Sequence, residues 1–233
     1  LMSKRTTLLS LGIKKKGENI GYIEGAGDVV PESLRQIGYH VSTIKPEDIN
    51  AENLNRFDAI VVGIRAYNTV DALKYKQKQL FDFVAQGGNL IVQYNTSGGI
   101  VVNDLAPYPL QLSRDRVTDE NAEVKLLHPN HELLNYPNKI TEKDFEGWTQ
   151  ERGLYFPDKW SEEFTPLLSM HDKGESPKEG SLLVAKFGKG HYMYTGLSFF
   201  REFPEGVAGS FRLFANMLSI GKEAMKADEK LND

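Results

Sequence analysis

"DAIVVGIRAYNTVDALKYKQKQLFDFVAQGGNLIVQYNTSGG", Asp58–Gly99, decides the fold. Its first run, Asp58–Gly63, is apolar after the opening aspartate, and Asn89–Gln93 repeats that pattern with Leu, Ile and Val. Both have strand length and no polar alternation, as strands buried on two faces do. Between them Val70, Leu73, the Leu80–Phe81 pair and Val84 form one stripe, with lysines and glutamines opposite. That spacing predicts an amphipathic helix, stopped by Gly87-Gly88.

The same alternation extends upstream. Asn19–Glu24 (NIGYIE) predicts a strand that runs into Gly25-Ala26-Gly27-Asp28. Pro31 opens a helix carrying Leu34 and Ile37, Gly38 closes it, and His40–Ile44 (HVSTI) predicts a second strand. The resulting β-α-β-x-β-α-β order is that of an α/β fold with an open, doubly wound, mainly parallel sheet. Such sheets gather ligands outside the carboxyl ends of their strands, so Gly25–Asp28, Ile64–Thr69, Tyr94–Gly99 and whatever the later strands contribute become the turns of interest.

Downstream, the stretch of about 97–160 is rich in Pro, Asn, Asp and aromatics, with Ala122–Leu127 as one candidate strand. So long an irregular insertion inside a compact domain points to a functional excursion. Thr165–Met170, Ser181–Phe187 and His191–Thr195 predict further strands, the last two as a late β-hairpin across Gly188-Lys189-Gly190. Gly209–Leu218 predicts a closing helix that buries Phe211, Phe214, Ala215 and Leu218. Residues 1–17 read as a linker, 18–220 as the domain and 221–233 as a charged tail.

Composition narrows the function classes. The 233 residues are 40% hydrophobic and 26% charged, enough for a sizeable core and too balanced for a disordered chain. A net charge of −4, with Lys14-Lys15-Lys16 as a short basic run on a solvated loop, offers no face for nucleic acid. Apolar segments such as Ala59–Ile64 fall far short of the roughly 18–20 residues a membrane span needs. Cysteine is absent, which excludes disulfides, thiolate metal sites and cysteine nucleophiles. The chain begins with Leu1 and shows no signal pattern. We therefore expect a piece of a longer protein, with any targeting signal upstream and either periplasm or cytoplasm as its compartment.

Few motifs carry chemistry by themselves. Gly25-Ala26-Gly27 has the look of a phosphate cradle but lacks a third glycine, and Asp28 would repel the anion; a tight turn with an N-terminal cap is the expectation. His128 and His131 could be grouped with Asp144, Glu151, His171 or His191 into a metal site only on paper, since Pro129 interrupts the pair; they are expected to be structural or surface histidines. Ser97 has no G-x-S-x-G frame. "DFEGWTQERGLYFPDKW", Asp144–Trp160, sets aromatic rings among Glu151, Arg152 and other charges. That mixture suits a polyhydroxylated ligand, and equally a loop that pins itself to the sheet with its rings. Arg65, at the end of an apolar strand, needs a carboxylate, a phosphate or water. A pocket for an anionic or carbohydrate-like ligand would satisfy it, as would an internal salt-bridge network with Glu151; Arg114 and Arg116 add further cations.

Several segments are also familiar. The strand ends, Gly87-Gly88, "HPNHELLN" (128–135) and "GKGHYMYTGLSFFREFPEGVAGSFRLFANML" (188–218) resemble the class I glutamine amidotransferase-like superfamily, in particular its trehalose-utilisation-protein-like branch. "GYIEGAGDVVPESLRQIGY", "DAIVVGIRAYNT", "LIVQYNT" and "GWTQERGLYFPDKW" look like the C-terminal region of large bacterial LmbE/PIG-L-type deacetylase proteins, over most of Glu18–Ser219. The resemblance implies a flavodoxin-like sheet and an upstream zinc-dependent de-N-acetylase domain acting on N-acetylated sugars. That domain's Ala-His-Pro-Asp-Asp type motif is not in this chain, so the resemblance implies zinc there and no cofactor here. The amidotransferase likeness would place a cysteine at an elbow after the fourth strand, with a late His and Glu as partners. Here that place reads Gln93-Tyr94-Asn95-Thr96, and a tyrosine with a reference pKa of ~10 cannot replace the thiolate.

The expectation is therefore a non-catalytic accessory or carbohydrate-binding domain, partnered by the upstream deacetylase domain. Its pocket would draw on Arg65, Tyr67, Asn68, Tyr94, Asn95, Glu151 and Arg152. One alternative is an independent hydrolase using Glu151 as general base with His131 or His191. A pure protein-interaction domain is the other.

Overall fold

The computed structural model describes residues 12–222. Residues 1–11 of the expected linker and 223–233 of the expected tail lie outside them. The remainder of the linker lies against the domain: Lys14 N–H donates to Asn138 Oδ1 at 2.9 Å and Lys16 N–H to Ser219 Oγ at 2.9 Å.

The expected strands form most of the main sheet. β1 (Asn19–Ile23), β2 (His40–Thr43), β3 (Ala59–Val62) and β4 (Asn89–Val92) pair in parallel, and β11 (Gly190–Thr195) joins β4 in parallel. β10 (Leu182–Phe187) then turns back on β11 as the expected hairpin, and β8 (Phe164–Pro166) closes the antiparallel edge. The seven strands lie in the order β2-β1-β3-β4-β11-β10-β8. Because β3 and β4 are buried along their whole length, apolar residues fill both faces, which is why their sequences show no alternation.

Each face has its own cover. Ile20, Val61, Ile91 and Met193 face α1 (Val30–Gln36) and the closing helix α6 (Ala208–Ser219). Ile60, Val62, Leu90 and Tyr192 face α2 (Ala51–Leu54) and α4 (Gln77–Ala85). The helix expected over Val70–Val84 is two pieces, a 3-10 turn at Asp71–Tyr75 and then α4. The break falls where the Gln77 side chain is drawn off, accepting from Tyr67 Oη at 2.8 Å and donating to the Asp104 carbonyl at 2.7 Å.

The stretch read as an irregular excursion is half of the cover for one face. Val117, Leu133, Phe145, Trp148 and Phe156 join the core that packs on β1, β3 and β4. β5 (Leu110–Val117) and β7 (Gly153–Trp160) make a bulged antiparallel ribbon, while β6 (Lys125–Leu126) pairs with β9 (Leu168–Ser169). The ribbon is hidden in the sequence because "LQLSRDRV" sets charged residues where a buried strand would be apolar and β7 contains Pro157.

This cover is fastened by amides. Asn216 on α6 is fully buried; its Nδ2 donates to the carbonyls of Leu133 and Asn138, and its Oδ1 accepts the Asn138 N–H at 2.9 Å. Asn216→Leu keeps the bulk and strands those groups without partners. It should lower the unfolding free energy by about 3 kcal/mol in a urea titration; an unchanged midpoint would show that water replaces the network.

Candidate functional site

The strand ends meet at one sharp turn. After β3 the chain passes through Arg65 at φ 56° into the short helix α3 (Ala66–Thr69). Left-handed backbone costs a side-chain-bearing residue on the order of 1 kcal/mol, so neighbours must hold it. They do: Arg65 N–H donates to the Tyr94 carbonyl at 2.8 Å, and Ala26 N–H donates to the Ile64 carbonyl at 2.9 Å. Gly25 allows this approach, since a Cβ there would lie 2.2 Å from the Ile64 oxygen. The elbow expected after β4 is thus found after β3; Gln93-Tyr94-Asn95-Thr96 leads into no helix. The Gly25–Asp28 turn carries its own cap, with Asp28 accepting from Val30 N–H at 2.7 Å and from Tyr22 Oη at 2.8 Å.

Three of the expected pocket residues build the turn and do not face a ligand. Asn95 is fully buried, accepts the Tyr67 N–H at 3.0 Å and donates its own N–H to Tyr194 Oη. Tyr67 sends its ring into the core beneath α4. Asn68 bridges to the next loop, accepting from Thr96 N–H at 2.8 Å and donating to the carbonyls of Thr96 and Gly98.

Of the rest, Arg65 and Glu151 lie around Tyr94. Its ring stacks on Tyr155 with 6.3 Å between centroids and 9° between planes, and lies 5.4 Å from Phe200. Burial pushes its hydroxyl above the ordinary tyrosine range, against the pull of Arg65 and Arg201, so it stays protonated and is no nucleophile. Glu151 lies behind, 4% exposed, with one oxygen 2.8 Å from Arg201 Nε and the other 2.9 Å from Arg116 Nη2. The anticipated salt-bridge network on Glu151 therefore exists, but with Arg116 and Arg201; Arg65 is exposed and takes part in no ion pair among the described residues. Arg152 turns away, donating to the carbonyls of Phe145 and Ala122. Beside Tyr155 a cavity of about 290 Å³ is lined by Arg114, Arg116 and Leu154.

The aromatic stretch Asp144–Trp160 divides between its two readings. Trp148, Phe145 and Phe156 are pinned in the core, while Tyr155 stays at the cleft. Trp160 lines a larger hollow of about 830 Å³, with Phe81, Tyr108 and Phe187, near the β10–β11 turn at the opposite end of β11 from the cleft.

The hydrolase constellation is not assembled. Glu151 has both oxygens engaged by guanidiniums, and His191 begins β11 whereas the cleft lies beyond that strand's end. His131 uses Nδ1 to accept the Leu133 N–H, capping a 3-10 turn. Burial lowers both histidines below their ordinary value. No group of three or more potential ligands stands ready for a metal among the described residues, nor is any described helix long and apolar enough to cross a membrane.

Reading the sequence pointed to the ends of the later strands without naming residues there; the turn after β11 is one of them and brings Ser198, Phe200, Arg201 and Glu202 into the site. Glu202 is fully buried on α5 (Phe199–Glu202), accepting Thr149 N–H at 2.6 Å and bonding Ser198 Oγ at 2.8 Å. Ser198 Oγ also sits within 3.1 Å of the Glu151 and Arg152 carbonyls. A hydroxyl has one proton, so a protonated Glu202 that donates to Ser198 satisfies all partners. Burial raises the carboxyl to about 7, outweighing the Thr149 amide, Arg152 and Arg201, which lower it. The folded state then keeps a proton that the unfolded chain releases between about 4.5 and 7, so stability falls as pH rises through that window. Melting curves at pH 5 and 8 should show Glu202→Gln abolishing most of this fall and stabilising the protein at pH 8 by about 2 kcal/mol. Parallel pH profiles for the two proteins would refute the assignment.

No protein-family model matches the chain, and no curated protein matches it in sequence. Among solved structures it is similar to a cytoplasmic protein from Salmonella typhimurium LT2, at 15% identity and a TM-score of 0.57, over 88% of this chain and 100% of that one. It is also similar to a Thermoplasma acidophilum protein assigned to GMP synthase, at 12% identity and a TM-score of 0.54, over 88% of this chain and 96% of that one. At such identities the likeness is one of fold: the chain has a flavodoxin-like α/β architecture.

Proposed function

We propose that this chain is a non-catalytic ligand-holding domain that uses the cleft around Tyr94 to bind a carbohydrate. The observation that carries the reading is where backbone strain collects. Arg65, Gln150 and Tyr155 are the non-glycine residues with positive φ among the described residues, and all three border the Tyr94–Tyr155 stack or the Glu151 network behind it. Strain of this kind persists where surrounding structure enforces it, and it concentrates at binding sites. Here it presents the half-buried Tyr155 ring, backed by Tyr94, and several guanidiniums without a competent nucleophile, an arrangement that covers C–H surfaces and fixes hydroxyls.

The resemblance of "GYIEGAGDVVPESLRQIGY" and "GWTQERGLYFPDKW" to LmbE/PIG-L-type proteins supports the wider part of the proposal. On that reading the domain serves an upstream de-N-acetylase, holding the sugar chain on which the partner domain acts.

Calorimetric titration of the chain with a panel of oligosaccharides tests the binding. Tyr155→Ala should weaken the best ligand at least about fivefold through loss of the ring face. Arg65→Gly, which the left-handed backbone accepts, should weaken it about tenfold. Affinity untouched by both substitutions would remove this cleft from consideration.

A further inference from the structure

The cleft has a charge pattern that a neutral sugar does not need. Four guanidiniums gather there: Arg65 and Arg201 beside Tyr94, and Arg114 and Arg116 along β5 beside Tyr155. Glu151 is the carboxylate among them, and both its oxygens are occupied by Arg116 and Arg201. On the outer side Glu120 accepts the Gln150 N–H at 2.6 Å, and Asp172 accepts from Thr118 and Asp119. Arg65 and Arg114 are exposed, and neither has an ion pair among the described residues.

The way Glu151 is used is informative. A buried carboxylate held by two arginines fixes their planes and uses up part of their donor capacity, while the unpaired pair is left at the mouth with five N–H donors each. An arginine fork is shaped for two oxygens on one centre, the geometry of a carboxylate or a sulfate, whereas a lone hydroxyl uses one prong. Tyr155 lies between the two unpaired cations, stacked on Tyr94 beside Arg65 and lining the cavity with Arg114.

Resting on the binding reading above, we infer that the ligand is an acidic glycan, whose sugar ring lies on Tyr155 while its carboxylate or sulfate groups are forked by Arg65 and Arg114. The shared chemistry is an oxyanion borne on a pyranose ring, and the sulfated and carboxylated forms are separate arms of the test.

Calorimetry with oligogalacturonate, its fully methyl-esterified form and a heparin-type sulfated oligosaccharide separates the claims. The ester keeps shape and stacking but removes charge. The inference expects at least one acidic probe to bind about tenfold or more tighter than the ester, with affinity falling as salt is raised from about 50 to about 300 mM. Arg114→Ala should close about tenfold of that gap, read as the ratio of acid to ester affinity. Equal binding of ester and acid would overturn the charge assignment and leave carbohydrate binding standing. Binding of no member of the wider glycan panel would overturn both. Acid-selective binding that survives Arg65→Gly and Arg114→Ala would overturn the assigned residues.

Discussion

Everything at the strand ends depends on one amide, that of Asn95. Its Oδ1 holds the Tyr67 N–H, its Nδ2 reaches back to the Gln93 carbonyl at 3.2 Å, and its N–H is held by Tyr194. These bonds lock the end of β4 to the turn after β3 in a place from which water is excluded, where an unmade bond would cost the most. With that turn fixed, the Tyr94 carbonyl is in position to hold Arg65 in its left-handed conformation and the Tyr94 ring projects into the cleft. An asparagine that was expected to touch a ligand is therefore spent on structure: it determines where Arg65 and Tyr94 stand.

What was legible in the sequence divides by the kind of signal. The apolar strands Ala59–Val62 and Asn89–Val92 and the hairpin across Gly188-Lys189 announce themselves because burial on both faces leaves no room for polar residues and because glycine marks the reversal. Residues 97–160 hid their order, because a ribbon such as Leu110–Val117 over Gly153–Trp160 faces the core through scattered positions, Val117 and Phe156 among them, and is interrupted by register shifts. The site suffered in the same way. Residue type alone could not show that Asn95 and Tyr67 point inward, that Arg152 serves backbone carbonyls, or that Arg201, fifty positions along, would claim Glu151.

The buried charges at this location are already engaged by their neighbours. A general base needs a lone pair free to reach a proton, yet Glu151 is held from both sides by guanidiniums and Glu202 is turned toward Ser198 and the Thr149 amide. Removing the fully buried Glu202 would leave the Thr149 amide and Ser198 without that partner, which is a reason for its presence that involves no reaction. The shared effect of the two carboxylates is to stiffen Thr149–Arg152, the segment that places Gln150 at positive φ next to Arg201.

The position of the strained turn sharpens the contrast with a catalytic version of this fold. A strand-to-helix elbow presents whatever side chain it carries at a fixed point above the sheet, and the steric cost is the same for a nucleophile as for a cation. In this chain the elbow carries a guanidinium, and the neighbouring strand end carries a protonated phenol stacked on a second ring. A guanidinium cannot attack, but it can complement an oxyanion with two bonds whose directions the backbone has already set. Because the left-handed conformation is enforced by Tyr94 and Asn95 before any ligand arrives, little ordering remains to be done on binding. Preorganisation of this kind raises affinity as readily as it would raise a rate, and it is the property that a domain built to hold a ligand would need.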